Sequence, residues 1–364
     1  MSSIQEAKDQ LNDVIKKSRV DMYKPIQIAE VLRYSRLNID KALQITELAT
    51  YKNKSCKWRD EVTKVLLGKS CTSSANYQHD LWNAVPPESL KLLDTENKRT
   101  NGGVERYIYL KFSEKQKTIA SIIAYIESTE SKKFELSELL QFFKLNPGIK
   151  RSIDKAYEIV TYSLFETIIV ALETKITVSV PSKKQNLLNE FSDLAKVLLG
   201  LQEGHNSWEF AAHIYRVGVT NAADRGLDMW ANFGPAIQIK HLTLDTETAK
   251  KIIDQIESDH IVIVCRDTDK NIIQTITQQI GWGQRVRGII QESELISWYD
   301  RCLKGKFSNE LAKPLLECIA NSFRKEFPHS VALADFLEER KYITIIVDSF
   351  WTTNNDIDKI KTDQ

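Results

Sequence analysis

Asp228, Gln238 and Lys240 are the residues of this chain whose types and spacing best suit chemistry. They lie in Gly226-Leu227-Asp228-Met229-Trp230-Ala231-Asn232-Phe233-Gly234-Pro235-Ala236-Ile237-Gln238-Ile239-Lys240, which reads as two strands joined by a tight turn. Alternate side chains of a strand share a face, so Gln238 and Lys240 point one way while Ile237 and Ile239 point into a core. Asn232-Phe233-Gly234-Pro235 carries the Gly and Pro of a turn and folds Asp228 back towards Lys240. A carboxylate, a second oxygen ligand and a lysine converging at a strand end can hold a hard divalent cation beside a phosphate. That is a nuclease-like arrangement. Phosphodiester hydrolysis needs a water made nucleophilic near neutral pH and relief of charge on the phosphate, and Mg²⁺ supplies both. In this reading Asp228 is the main ligand, with the Gln238 amide and the Ile239 carbonyl adding oxygens. Lys240 orients the water and stabilises developing negative charge. One acid alone would hold Mg²⁺ weakly, so Glu209, expected on a preceding helix in Trp208-Glu209-Phe210, is the candidate second carboxylate. Plain structural roles stay open for each: a turn-capping Asp228, a solvated strand-end Lys240 and a surface Glu209.

The elements that must position these residues follow from periodicity. Ile28, Val31 and Leu32, then Ile39, Ala42 and Leu43, repeat at helical spacing around a Ser35-Arg36-Leu37-Asn38 break, a helix pair compatible with a helix-turn-helix. Residues 55–112 read as less regular, with Gly102-Gly103 turning into a strand-like Arg106-Tyr107-Ile108-Tyr109-Leu110. Helices are expected from Glu114 to Lys175, interrupted by Asn146-Pro147-Gly148. The segment Thr177–Lys184, with Pro181, is the expected domain boundary. Beyond it come a helix over Leu187–Leu201, another capped by Ser207, and the paired strands. A helix carrying Ala249, Ile252, Ile253 and Ile256 behind Asp245 then precedes the strand His260–Cys265. A helix over Asn271–Ile280, the strand Val286–Gln291, a helix from Ser293 to Leu303 and a late strand, Tyr342–Val347, complete the pattern. The expected fold is therefore an α/β core, a mixed sheet flanked by helices, behind an α-rich N-terminal region. Residues 1–180 form the helical, DNA-gripping part in this reading, and residues 185–364 the metal-binding part.

Charge agrees with that division. Residues 1–200 hold 31 Lys and Arg against 25 Asp and Glu, a net of +6, and the remainder, with 19 against 24, a net of −5. A basic half beside an acidic one suits a domain gripping nucleic acid joined to one binding metal. Five cysteines without a C-x-x-C pair suggest neither a zinc site nor a disulfide framework, and a reducing cytoplasm is the expected home. The N-terminus lacks a signal-peptide pattern, and the longest apolar run, Ile159–Leu172, contains Glu166 and reads as a buried helix rather than a membrane span. A P-loop, a dinucleotide fingerprint and a G-x-S-x-G elbow are all missing, which argues against ATPase, dehydrogenase and serine-hydrolase chemistry.

Asp228 followed by Gln238-Ile239-Lys240 within such a sheet resembles the PD-(D/E)xK nuclease superfamily. Asn221-Ala222-Ala223-Asp224-Arg225-Gly226-Leu227-Asp228-Met229-Trp230, continuing to Lys240-His241-Leu242, is similar to type II restriction endonucleases, most nearly the HaeII family. Arg287-Gly288-Ile289-Ile290-Gln291-Glu292-Ser293 with Trp298-Tyr299 resembles the closing strand and helix of such enzymes. Trp58-Arg59-Asp60, Thr72-Ser73-Ser74 and Gly103-Val104-Glu105-Arg106-Tyr107-Ile108-Tyr109 extend the likeness over most of residues 50–305. The resemblance implies active-site roles for Asp228, Gln238 and Lys240. It further implies Mg²⁺ dependence, cleavage of double-stranded DNA at a short palindrome, a homodimer whose twofold axis matches the site, and a companion methyltransferase. Two departures stand out: Leu227 precedes Asp228 in place of proline, and Gln238 replaces the second acid. Candidate DNA contacts are Lys57, Arg59, Gln78 and Arg106, then Gln284, Arg285 and Arg287 beside the late strand. Two other outcomes remain compatible with these residues: a repair or recombination nuclease that reads DNA structure, and a DNA-binding protein in which Gln238 marks lost metal chemistry.

Overall fold

The computed structural model describes residues 3–71, 81–217, 227–240, 258, 260–266, 286–345 and 349–352. The chain divides into two compact units, one of residues 1–129, 136–156 and 320–364, the other of residues 130–135 and 157–319.

Helices build the first unit. Helix α1 (Ile4–Lys17) starts at a capping box, in which Ser3 Oγ accepts from the Glu6 N–H and Glu6 accepts from the Ser3 N–H. Its buried residues, Ala7, Leu11 and Ile15, recur every fourth position. Helices α2 (Tyr23–Arg36), α3 (Lys52–Leu67), α4 (Pro87–Arg99), α5 (Gly103–Ser128) and α6 (Leu136–Leu145) follow. Leu11, Ile28, Leu32, Val62, Leu93, Ile108 and Phe112 share one core.

Three expectations fail here, each for a visible reason. Ile39, Ala42 and Leu43 do not continue a helix, so the expected helix pair is absent. Asn38 adopts a left-handed φ of 48°, and Asp40 Oδ1 accepts from the Ala42 N–H, an Asx turn that replaces helical bonding. The section expected to be irregular is largely α3, α4 and the start of α5. Arg106–Leu110 is helix, not strand: Gly102, at φ 102°, leads into α5, and the run from Gly103 to Tyr109 is buried. Packing on all sides overrides its β-branched and aromatic propensity.

The second unit holds the mixed sheet that the sequence predicts. Strands β3 (Ile214–Arg216), β4 (Met229–Ala231), β5 (Ala236–Lys240), β6 (Ile261–Cys265) and β7 (Val286–Gln291) lie in that order. The β3–β4 and β4–β5 pairs are antiparallel, while β5–β6 and β6–β7 are parallel. A separate antiparallel pair joins β1 (Lys175–Ser179) to β2 (Ser207–Ala211). Between these two strands run α8 (Gln185–Glu190) and α9 (Ser192–Leu199). Ser207 therefore begins a strand and caps no helix, and β1 covers the start of the expected domain boundary. The expected helices at residues 245–257 and 271–280 lie outside the described residues.

Helix α7 (Ile153–Ala171) and helix α10 (Glu292–Lys304) meet one face of the sheet. Leu164 and Ile168 of α7, Trp298 of α10 and Ile214, Ile237, Val262 and Ile290 of the strands line an apolar cavity of about 910 Å³. The Tyr157 hydroxyl bonds the Glu292 carboxylate, and the Tyr299 hydroxyl donates to the Val160 carbonyl at 2.7 Å, fixing α7 against α10. Helix α11 (Ser308–Glu326) and helix α12 (Leu333–Glu339) follow. The late strand expected from Tyr342 is a turn over residues 341–344, with Lys341 at φ 59°. Among the described residues, no helix is long and apolar enough to cross a membrane.

Candidate active site

The β4–β5 hairpin forms as its sequence predicts. The Gly234 N–H donates to the Ala231 carbonyl and the Ala231 N–H to the Pro235 carbonyl, with Gly234 at φ 116°, a conformation that suits glycine. Met229 pairs with Ile237, so Asp228, one residue earlier, reaches the end of β5. Its Oδ2 accepts from Gln238 Nε2 at 2.6 Å and from the Ile239 N–H at 2.7 Å. Gln238 is only 3% exposed, whereas Asp228 and Lys240 are half-buried. Lys240 follows Gln238 by two residues and so shares its face. The structure thus brings Asp228, Gln238 and Lys240 together at the carboxyl ends of the parallel strands, where Lys240, Cys265 and Gln291 are level. Ligands of open α/β sheets gather at this end.

A polar clasp that sequence reasoning missed holds the hairpin. Glu166 of α7 accepts from the Ile214 N–H at 2.8 Å and meets His213 Nδ1 at 2.8 Å. Asn232 accepts from the His213 N–H at 2.9 Å and donates to the Ala211 carbonyl at 3.0 Å. Eight residues before Glu166, Glu158 meets Arg216 at 3.6 Å. The i, i+8 spacing of the two acids on one helix face was the available signal.

Glu209 does not join the cluster. It stands exposed in β2, opposite Thr177 and 3.8 Å from Lys175, and not on a helix. Asn232 bonds Ala211 at the turn end of the hairpin, whereas Val217 bonds Asp228 at the other end, so Glu209 lies beyond the wrong end. Among the described residues, the buried acids at the carboxyl end of the sheet are Glu158, beside Arg216, and Glu292, which follows Gln291. Among the described residues, no group of three or more His, Cys, Asp or Glu is placed to hold a metal.

The candidate DNA contacts divide sharply. Arg59 is 1% exposed and bonds Asp60 through Nε and Nη2, and Arg106 is buried with Nε donating to the Tyr342 carbonyl at 2.8 Å. Burial withdraws both from DNA, a correction that follows from α3 and the start of α5 being core helices. Lys57 is exposed on α3. Arg287 is exposed on β7 at the bulge opposite Ile261 and Val262, at the other end of the strand from Gln291, which is level with Lys240. Gln78, Gln284 and Arg285 lie outside the described residues.

The HaeII restriction endonuclease family model matches residues 7–342. The type II restriction enzyme HaeII of Haemophilus aegyptius is 47% identical over 346 residues, covering 94% of this chain and 98% of the relative. The type II restriction enzyme NgoBI of Neisseria gonorrhoeae is 44% identical over 343 residues, covering 93% and 97%. No solved structure matches the chain. With the family model matching residues 7–342 and both relatives aligning over more than nine-tenths of the chain, the chain belongs to the HaeII restriction endonuclease family.

Proposed function

We propose that the chain cuts double-stranded DNA at a short palindrome, hydrolysing the phosphodiester at the Asp228 end of the five-stranded sheet with Mg²⁺ bound there. Membership in a restriction endonuclease family makes it a site-specific deoxyribonuclease. The observation that supports this place for the chemistry is the convergence of Gln238 and Ile239 on one oxygen of Asp228, with Lys240 on the same face.

The donor set suits a hard cation. Asp228 offers a carboxylate and Gln238 an amide oxygen, and the N–H and C=O of a strand residue leave from the same edge, so the Ile239 carbonyl faces the side on which its N–H meets Asp228. Gln238 now donates to Asp228, so its amide must turn over to present oxygen. Bound Mg²⁺ supplies a water of lowered pKa and a contact to a non-bridging phosphate oxygen. Lys240 donates to the phosphate and stabilises the charge that builds on it. Arg287, exposed on β7, is a candidate for a further phosphate of the bound DNA.

A palindrome is matched by a twofold pair of chains. Phe191, Leu194, Val197 and Leu198 on α8–α9 and the residue between them are 51%, 52%, 82% and 69% exposed, an apolar surface that supports self-association. A companion methyltransferase protects the same site in the host. Five free thiols accord with a reducing bacterial cytoplasm.

Digestion of a long unmethylated DNA tests the proposal, with sedimentation of the free chain alongside. Discrete fragments with Mg²⁺, none with a chelator, and twice the 41.8 kDa chain mass are expected. A smear of random sizes, or cutting that survives chelation, would contradict it.

A further inference from the structure

Two large aromatic side chains stand open on the Asp228 face of the sheet. Tyr215 of β3 and Trp230 of β4 are direct cross-strand partners, and their rings stack at 4.7 Å between centroids and 26° between planes. They remain 42% and 44% exposed, while their strand neighbours Ile214, Met229 and Ala231 are at most 4% exposed. That alternation leaves this strand pair solvated on one face only. A cross-strand aromatic pair stabilises a hairpin without needing to be open, and rings of this size are usually drawn into a core.

Position gives the exposure a use. Trp230 follows Asp228 by two residues, which puts both on one face, about 7 Å apart along the strand. Gln238 and Lys240 share that face. At about 3.4 Å per base step, the ring lies within two steps of a phosphate held between Asp228 and Lys240. Lys240 supplies positive charge for the backbone, and the aromatic faces supply what a nucleobase seeks. A base inside a duplex has both faces covered by its neighbours, so one must leave the stack to meet the rings.

We propose that Tyr215 and Trp230 form a stacking platform for a nucleobase beside the scissile phosphate, displaced from the duplex stack as DNA is bound. The proposal rests on the reading of Asp228–Lys240 as the cleavage centre. Because every base has a π face, the platform contributes affinity and distortion of the DNA rather than base identity.

The test uses the full chain with Ca²⁺ in place of Mg²⁺ and a duplex spanning a cut site mapped from wild-type fragments. 2-Aminopurine is placed at each position of that site in turn. Expected are a change of emission at a position adjacent to the cut, its loss in Trp230→Ala, and a Kd raised about ten-fold in that variant. Trp230→Phe, which keeps a flat ring, should restore both, and Tyr215→Ala should weaken binding in the same sense. Wild-type affinity in Trp230→Ala and Tyr215→Ala overturns the platform, as does an emission change that persists without Trp230. Weaker binding that Phe does not rescue, with no emission change in the wild type, assigns the pair to hairpin stability alone and also overturns it. A halved sedimentation mass in Trp230→Ala assigns the rings to a second copy of the chain. If the wild type yields no fragments, the cleavage reading itself fails and takes the platform with it.

Discussion

Replacing Lys240 by Ala should slow DNA cutting by a factor on the order of 10²–10³ while leaving DNA affinity nearly unchanged. The lysine stands two residues beyond Gln238 on the Asp228 face, and half-burial lets it act in a partly water-excluded site. A donor aimed at charge that grows on the phosphate matters most in the transition state, so the loss should fall on kcat. Arg287 and the other basic residues keep the ground-state grip on the backbone, which is why binding persists. Single-turnover cleavage, with DNA binding measured separately, checks both halves. Equal rates for the two proteins would remove Lys240 from the site, and a loss confined to affinity would make it a phosphate anchor.

A second large effect is expected in the helical unit. Glu30, 1% exposed, accepts from the Tyr109 hydroxyl and forms a fork with Arg340, Nη1 at 2.5 Å and Nη2 at 3.2 Å. Nearby, Glu105 accepts from Arg36 through Nε at 2.9 Å and Nη2 at 3.0 Å, from Asn97 at 2.6 Å and from the Tyr342 hydroxyl at 2.7 Å. Burial pushes the Tyr109 and Tyr342 phenols well above their ordinary pKa, so both remain donors. Arg340→Ala strips the charge partner from a buried carboxylate and should destabilise this unit by about 3–5 kcal/mol. Removing both charges, in Glu30→Gln with Arg340→Ala, should cost much less than the sum of the single changes, because no charge is then left unpaired. Urea unfolding of the four proteins measures the coupling. A loss below about 1 kcal/mol for Arg340→Ala would mean that water reaches Glu30 and the pair acts as a surface ion pair.

The hairpin that carries Asp228, Gln238 and Lys240 was legible because its cues are local. Strand alternation, a Gly-Pro turn and a nine-residue gap between the acid and Gln238 leave few ways to fold it. The parallel strands Ile261–Cys265 and Val286–Gln291 were legible for the same reason, as short apolar runs. Arg59 and Arg106 were misread because their neighbours, Trp58, Tyr107 and Ile108, mix aromatic and β-branched types that favour strands. Only the enclosing helices make them core. Glu209 was misplaced because Trp208-Glu209-Phe210 has no period of its own; pairing with Lys175–Ser179, some thirty residues away, makes it a strand. The Glu166–His213–Asn232 clasp joins three distant segments, so the spacing of Glu158 and Glu166 could mark two acids on one helix but not the partners they meet. The exposed Tyr215–Trp230 stack was hidden likewise, since its partners lie on different strands.

The most direct test of the account is calorimetric titration of Mn²⁺ into the wild type and Asp228→Asn, each with a mapped DNA site bound. Mn²⁺ favours the same oxygen donors as Mg²⁺. Saturable binding by the wild type and at least ten-fold weaker binding by Asp228→Asn are expected, since the substitution removes the carboxylate that meets Gln238 and the Ile239 N–H. Equal Mn²⁺ affinity in the two proteins would contradict it, and would place the metal away from the Asp228 hairpin.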